Sequence, residues 1–231
     1  MKLLSIQVGM PRTIGVAGAP DPMDREWTSG FVKSPVSSAV DLTLTGLVGD
    51  GQADLKNHGG PDKAINAYPA DHYPTWREEL EIDCPPGGFG ENFTTLGALE
   101  ADVCIGDIFR VGGVVVQITQ PRKPCWKLAR HWRIKELADR VEQTGRTGWY
   151  FRVLETGKVA APAEFELVER PYPQWTVAEA NAIMHHRNDD WEAAAALASC
   201  SALSASWQIS LRNRATTRTN ASSSSRLDGN K

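Results

Sequence analysis

The chain reads as a mainly β protein with helices: a closed or nearly closed β-barrel over residues 1–170, followed by a small three-helix module over 174–214. Three observations carry that expectation. Gly and Pro punctuate the first two-thirds at short intervals, leaving brief apolar runs of strand length between them. One such break, Gly112-Gly113, separates the run 103–111 from Val114-Val-Val-Gln-Ile118, the pattern of a hairpin with a Gly-Gly turn. After Pro171-Tyr-Pro173 the punctuation gives way to capped, alanine-rich helical sequence.

The strand candidates, in order, are 3–8, 30–33, 40–47, 65–68, 103–111, 114–119 and 165–168, each apolar or β-branched and bounded by turn formers. Helical spacing interrupts them at about 71–82, where Trp76 and Leu80 lie four apart, and at 134–143, where Ile134, Leu137 and Val141 share a face. In the module, Thr176-Val-Ala-Glu179 is a capping box that opens a helix to about Met184. Asn188-Asp-Asp190 introduces a second helix over 191–199. The third, 204–214, places Trp207 and Leu211 on one side. Residues 216–231 contain four consecutive serines and almost nothing apolar, so a disordered tail is expected.

A net charge of −3 argues against a general binder of nucleic-acid polymers, which carries a strongly basic surface. No run approaches the roughly 20 apolar residues of a membrane span, and the few after Lys2 are too short for a secretory leader. Cys84, Cys104, Cys125 and Cys200 form neither a C-x-x-C pair nor a tight disulfide framework, so a reduced, cytoplasmic setting is expected.

Cys125 is the best-placed thiol. It follows the strand candidate 114–119 on the proline-bracketed turn Pro121-Arg-Lys-Pro-Cys125. From Arg122 to Lys135 there are six Lys or Arg, one His and no acid. Such a field favours a thiolate and an anionic ligand beside it, although a small buried hydrophobe is the commoner use of cysteine. The loop Gly49-Asp-Gly-Gln-Ala-Asp54 through His58-Gly-Gly-Pro-Asp-Lys-Ala64 holds more polar side chains than a double turn needs. No histidine pair has zinc-motif spacing, and neither a dinucleotide fingerprint, a P-loop nor a nucleophile elbow is present. A Cys125/His58 hydrolytic pair stays open on the residues alone. So does Lys33 as either a snorkelling strand lysine or an anion contact.

These segments stand in the order of a known family. Lys33, Gly49-Asp50, Gln52-Ala-Asp54, His58 to Ala64, Tyr68-Pro69, Gly90-Glu-Asn92, Ile105-Gly-Asp107, Gln120 to Lys127 and Gly145 to Tyr150 resemble the MOSC family. With the terminal helices, the resemblance is to its stand-alone bacterial YiiM-like branch and spans roughly 2–214. It implies a MOSC-type β-barrel that binds a molybdenum–pterin cofactor, with Cys125 as thiolate ligand to the metal and a catalytic group. Arg122, Lys127 and Lys33 become expected phosphate or pterin contacts, and Asp62 and Asn92 orient the cofactor loops. His58 falls near the metal and, at an ordinary imidazole pKa of about 6.5, is the expected proton donor.

The resemblance also implies reduction of small N-hydroxylated compounds such as hydroxylaminopurines and amidoximes. No flavin, haem or iron–sulfur motif is visible, so electrons are expected from a separate reductase. A cofactor or persulfide carrier without turnover is the other reading. A homodimer, a different pterin-bound metal and another phosphate-bearing cofactor such as pyridoxal phosphate are left open.

Overall fold

Seven strands close into a ring in the computed structural model, which describes residues 1–228. In chain order the strands are β1 (Lys2–Val8), β2 (Arg12–Ile14), β3 (Trp27–Ser29), β4 (Ser34–Pro35), β5 (Val40–Thr43), β6 (Gly46–Leu47), β7 (Ile65–Pro69), β8 (Phe93–Leu96), β9 (Ile108–Val111), β10 (Val114–Pro121), β11 (Trp149–Glu155), β12 (Gly157–Val159) and β13 (Ala163–Glu169). The ring runs β13–β9–β10–β11–β7–β8–β1 and closes with Leu3 of β1 opposite Ala163 of β13. Closure removes the free edges that an open sheet would expose. Helix α1 (Leu55–His58) sits in the loop ahead of β7. All ring pairings are antiparallel except β7 with β8, and that parallel pair needs the crossover that carries α2 (Tyr73–Leu80). The expected Gly-Gly hairpin forms: Val111 pairs Val114, and Gly112 takes φ +56°, where a side chain would be strained.

Aromatic residues fill the ring. Phe151 stacks on Phe165 at 5.9 Å, and Phe109 meets both edge-on. Helices α3 (Trp126–Trp132) and α4 (Leu137–Thr144) join α2 over a second apolar cluster, in which Tyr68 stacks on Phe89 at 4.2 Å. The C-terminal segment folds as α5 (Val177–Asn181), a π-helical turn (Ala182–His186), α6 (Trp191–Ala198), α7 (Ala205–Thr217) and α8 (Ser224–Asp228). The expected cap is present, Thr176 Oγ1 accepting from Glu179 N at 3.0 Å. Val177, Ile183, Leu197, Trp207 and Leu211 belong to the same buried cluster as the barrel residues, and Ser204 N donates to Thr119 O of β10 at 3.0 Å. Among the described residues, no helix is long and apolar enough to cross a membrane.

Several expected elements differ. Residues 30–33 are not a strand. Gly30 lies so close to Gly51 that a Cβ would sit 2.0 Å from its carbonyl oxygen, so this backbone packs against the neighbouring loop instead of pairing. Only the last four residues of 103–111 are strand; the rest is a turn held by Asp107, which accepts from Cys104 N and pairs with Arg170. Strands β8, β11 and β12 and helix α3 were not anticipated. The basic run concealed α3, because its buried face, Lys127-Leu128-Ala129, includes a lysine. Nor is the expected tail wholly unstructured: α7 extends to Thr217, and α8 buries Leu227 while Arg226 reaches Pro124 O and Glu142. The last three positions of that tail lie outside the described residues.

Candidate active site: a cation-lined cleft at Cys125

Strand β10 ends at Pro121 and hands the chain to a short turn, where Arg122 N donates to Gly148 O at 3.1 Å. Cys125 follows in extended conformation, immediately ahead of α3, with 7% of its surface exposed. It borders a small inner chamber of about 70 Å³ and an outer cleft of about 960 Å³. Asp54, His58, Lys63, Lys127 and Tyr150 border both spaces as well. Residues far apart in sequence thus meet around one sulfur. The other cysteines are buried outside this lining, and burial raises each thiol above its ordinary value, Cys84 to about 12.

The expected cations are present but not equivalent. Lys33 lines the chamber, yet its ammonium is paired with Asp50, and both side chains are almost wholly buried. Asp50 Oδ1 also accepts from Gly9 N at 2.9 Å. Burial lowers Lys33 from its ordinary pKa even with that partner, so its charge is already answered within the protein. Arg122 and Lys127 are different. Both are buried, neither forms an ion pair among the described residues, and Arg122 Nη1 has no hydrogen-bond acceptor at all. Asn66 Oδ1, also in the chamber, is a buried acceptor without a donor. Orphaned buried groups of this kind are uncommon and call for a ligand or ordered solvent.

His58 departs from expectation. Burial, then the charges of Lys127 and Arg122, push its imidazole down to about 4. In this state it is neutral at pH 7, rather than titrating at the ordinary histidine value. Asp54 caps α1, accepting from Asn57 N at 3.1 Å, and a hydrogen bond from the Asn57 side chain helps hold its carboxyl below the usual range.

Asn92 touches the chamber but works mainly as a brace: Oδ1 accepts from Asn66 N at 3.2 Å and Nδ2 donates to Gln7 O at 3.2 Å. Asp62 is not brought into the lining. Arg152 lies 2.8 Å from its Oδ1, and Ala205 N of α7 donates to its Oδ2 at 3.0 Å, so it ties the loop to β11 and the C-terminal helices.

Sequence reasoning missed Tyr150, Asn66 and the part α7 plays. Tyr150 lies between Trp149 and Phe151, both wholly buried in the core, so strand alternation would have aimed it the other way once β11 was recognised. From α7, Ser206, Trp207 and Ser210 form part of the outer wall, beside Lys123 and Arg226. Burial, with Arg226 and Arg214 nearby, lowers Lys123 to about 8.

Among the described residues, no three His, Cys, Asp or Glu side chains converge as a metal site. A metal at Cys125 must therefore bring ligands of its own. One thiol, two unanswered cations and orphaned polar atoms fit an anionic metal–organic group of that kind.

The chain is similar to known proteins over most of its length. Residues 54–166 match the MOSC domain, and residues 175–216 match the YiiM-like, 3-alpha helix domain. The chain is 45% identical over 212 residues to an uncharacterized protein, YflK, of Bacillus subtilis (strain 168), covering 92% of this chain and 93% of that one. It is 42% identical over 190 residues to Protein YiiM of Escherichia coli (strain K12), covering 80% and 84%. A protein of Gibberella moniliformis named Reductase is 37% identical over 171 residues, which are 71% of this chain and 30% of that protein. The crystal structure of YiiM from Geobacillus stearothermophilus superposes with a TM-score of 0.78 at 38% identity, covering 93% of this chain and all of the other.

Proposed function

The chain belongs to the MOSC domain family, in the branch with a YiiM-like 3-alpha helix domain, and from that premise we propose that it is a molybdenum-cofactor-dependent reductase of small N-hydroxylated compounds. The observation that carries this reading is that Cys125 shares one chamber with Arg122 and Lys127, two buried cations without carboxylate partners among the described residues. The relative named Reductase, in which a segment like this chain is joined to further sequence, supports redox work.

In this proposal Cys125 supplies the protein's sulfur ligand, while Arg122 and Lys127 hold the cofactor's anionic end. A molybdenum–pterin group held there would supply the two-electron redox chemistry that turning N–O into N–H requires. The balance is R–NH–OH plus two electrons and two protons giving R–NH2 and water, with the electrons arriving from a separate reductase. His58 is the candidate for moving a proton. Burial is the largest cause of its depressed pKa, and an anion that answers Lys127 and Arg122 offsets the next two, which moves it back upward from about 4. Asn92 and Asp62 keep the loops in place, and the Lys33–Asp50 pair forms part of the chamber lining.

Expression in a host that makes the cofactor, followed by elemental analysis and a 6-N-hydroxylaminopurine reduction assay with an artificial donor, tests the reading. Wild type should hold close to one molybdenum per chain, and Cys125→Ser should lose most of it. Equal metal in both proteins would overturn the role given to Cys125. Metal held through Cys125 with no reduction under any donor would mark a carrier instead.

A further inference from the structure

The loop Gly145-Arg-Thr-Gly148 lines neither space at Cys125, yet it meets the site at one atom: Gly148 O accepts from Arg122 N at 3.1 Å. Arg122 is buried, has no carboxylate partner among the described residues, and its Nη1 has no acceptor. With no ion pair to tether the guanidinium, its place depends on where the backbone starts it. Gly148 is gripped at both its N–H and its carbonyl. Gly148 N donates to Glu100 Oε1 at 2.7 Å, and Glu100 Oε2 lies 2.8 Å from His72 Nε2. At the carbonyl, Thr147 Oγ1 donates to Gly148 O at 2.9 Å and accepts from Asn181 Nδ2 of α5 at 2.8 Å. The same amide reaches Gly145 O at 3.3 Å. Glu100, His72, Thr147 and Asn181 are all buried.

Neither grip is what stability alone would select. A buried pair of ionisable side chains is often no more stabilising than apolar residues of similar volume. Asn181 Oδ1 is buried with no donor, a cost that a leucine in its place would not carry. What the two side chains do supply is a fixed place for Gly148. We propose that Glu100 and Asn181 are positioning residues for Arg122: by holding Gly148 at its N–H and its carbonyl, they set where the guanidinium meets the cofactor's anionic end. This inference rests on the cofactor reading above. It also gives the C-terminal helices a function, since α5 carries Asn181, and Ala178 N of the same helix donates to Glu100 O at 2.8 Å.

The test uses the full chain and measures binding, not turnover. One arm follows molybdenum retention after expression in a host that makes the cofactor. The other titrates inorganic pyrophosphate into cofactor-free protein by calorimetry. Glu100→Ala and Asn181→Leu should each lower retention and pyrophosphate affinity about tenfold, the scale of losing a residue that orients a site ligand. Glu100→Gln keeps an acceptor for Gly148 N and should bind as the wild type does. In an Arg122→Met background the same two changes should add less than about twofold, because residues that act through Arg122 have nothing left to position. Equal losses in both backgrounds would mark a merely structural role and overturn the inference. So would wild-type binding in Glu100→Ala or Asn181→Leu, and so would Glu100→Gln binding as weakly as Glu100→Ala. Should Glu100→Ala fail to fold, the Asn181→Leu comparison across the two backgrounds decides, since that change opens no large cavity. A wild type without molybdenum, whose pyrophosphate affinity still depends on both residues through Arg122, would sustain the positioning role and sink the cofactor reading.

Discussion

Replacing Asp50 by Ala should be among the most damaging single changes near the site, and the reason can be worked from its contacts. The carboxylate answers the Lys33 ammonium, accepts from Gly9 N at 2.9 Å and receives the Gln52 amide at 3.4 Å, with side-chain exposures of 5% for Lys33 and 1% for Asp50. Removing it leaves a buried ammonium without a counter-charge, which costs about 3–5 kcal/mol. The ceiling is the cost of stripping the proton from lysine at pH 7, about 5 kcal/mol. Lys33→Met combined with Asp50→Ala removes the stranded charge as well, so the double variant should recover about 2 kcal/mol or more of the single variant's loss. Urea unfolding followed by tryptophan fluorescence gives both values. A loss below about 1 kcal/mol in Asp50→Ala, or a double variant as unstable as the single, would refute the claim that this pair is a buried, mutually dependent unit.

Three further outcomes are expected. Arg122→Met removes a buried guanidinium whose Nη1 has no acceptor, so the cofactor-free protein should keep or raise its Tm while molybdenum retention falls about 10–100-fold; a Tm drop of more than a few degrees would instead give Arg122 a structural role. His58, held near 4 by burial and by Lys127 and Arg122, should titrate about one pH unit higher in NMR spectra once inorganic pyrophosphate occupies the cleft, and no movement would separate it from the cation cluster. Burial alone would raise Glu142, but His185 and Arg226 outweigh it and hold the carboxyl at about 2, against an ordinary 4.5. Its stabilisation is therefore complete above pH 4.5 and lost as pH falls toward 2, by up to about 3 kcal/mol, and Glu142→Gln should flatten the fall in Tm between pH 5 and 3.

Much of the architecture was legible where the relevant interactions are local. The Gly112-Gly113 hairpin and the Thr176 cap depend on residues a few positions apart, and they form. Strand β8 and helix α3 escaped for the opposite reason. Phe93-Thr-Thr-Leu96 is short and half polar, but buried between β7 and β1 its two threonines become core. Lys127 faces inward only because the cleft is behind it.

The same division runs through the site. That Cys125 lies on a proline-bracketed turn among cations was settled by adjacent residues, because covalent connection keeps them together in any fold. Which of those cations stays free was decided by the tertiary structure. Lys33 meets Asp50 across 17 positions and is neutralised, whereas Arg122 meets no acid and keeps an unanswered N–H. Asp62, inside the polar loop, is claimed by Arg152 and by Ala205, 143 positions away. Helix α7, which read as part of an appended module, becomes a wall of the cleft. Charge is fixed by residue type, but desolvation and pairing depend on what the closed barrel brings within a few ångströms, and that is a property of the fold.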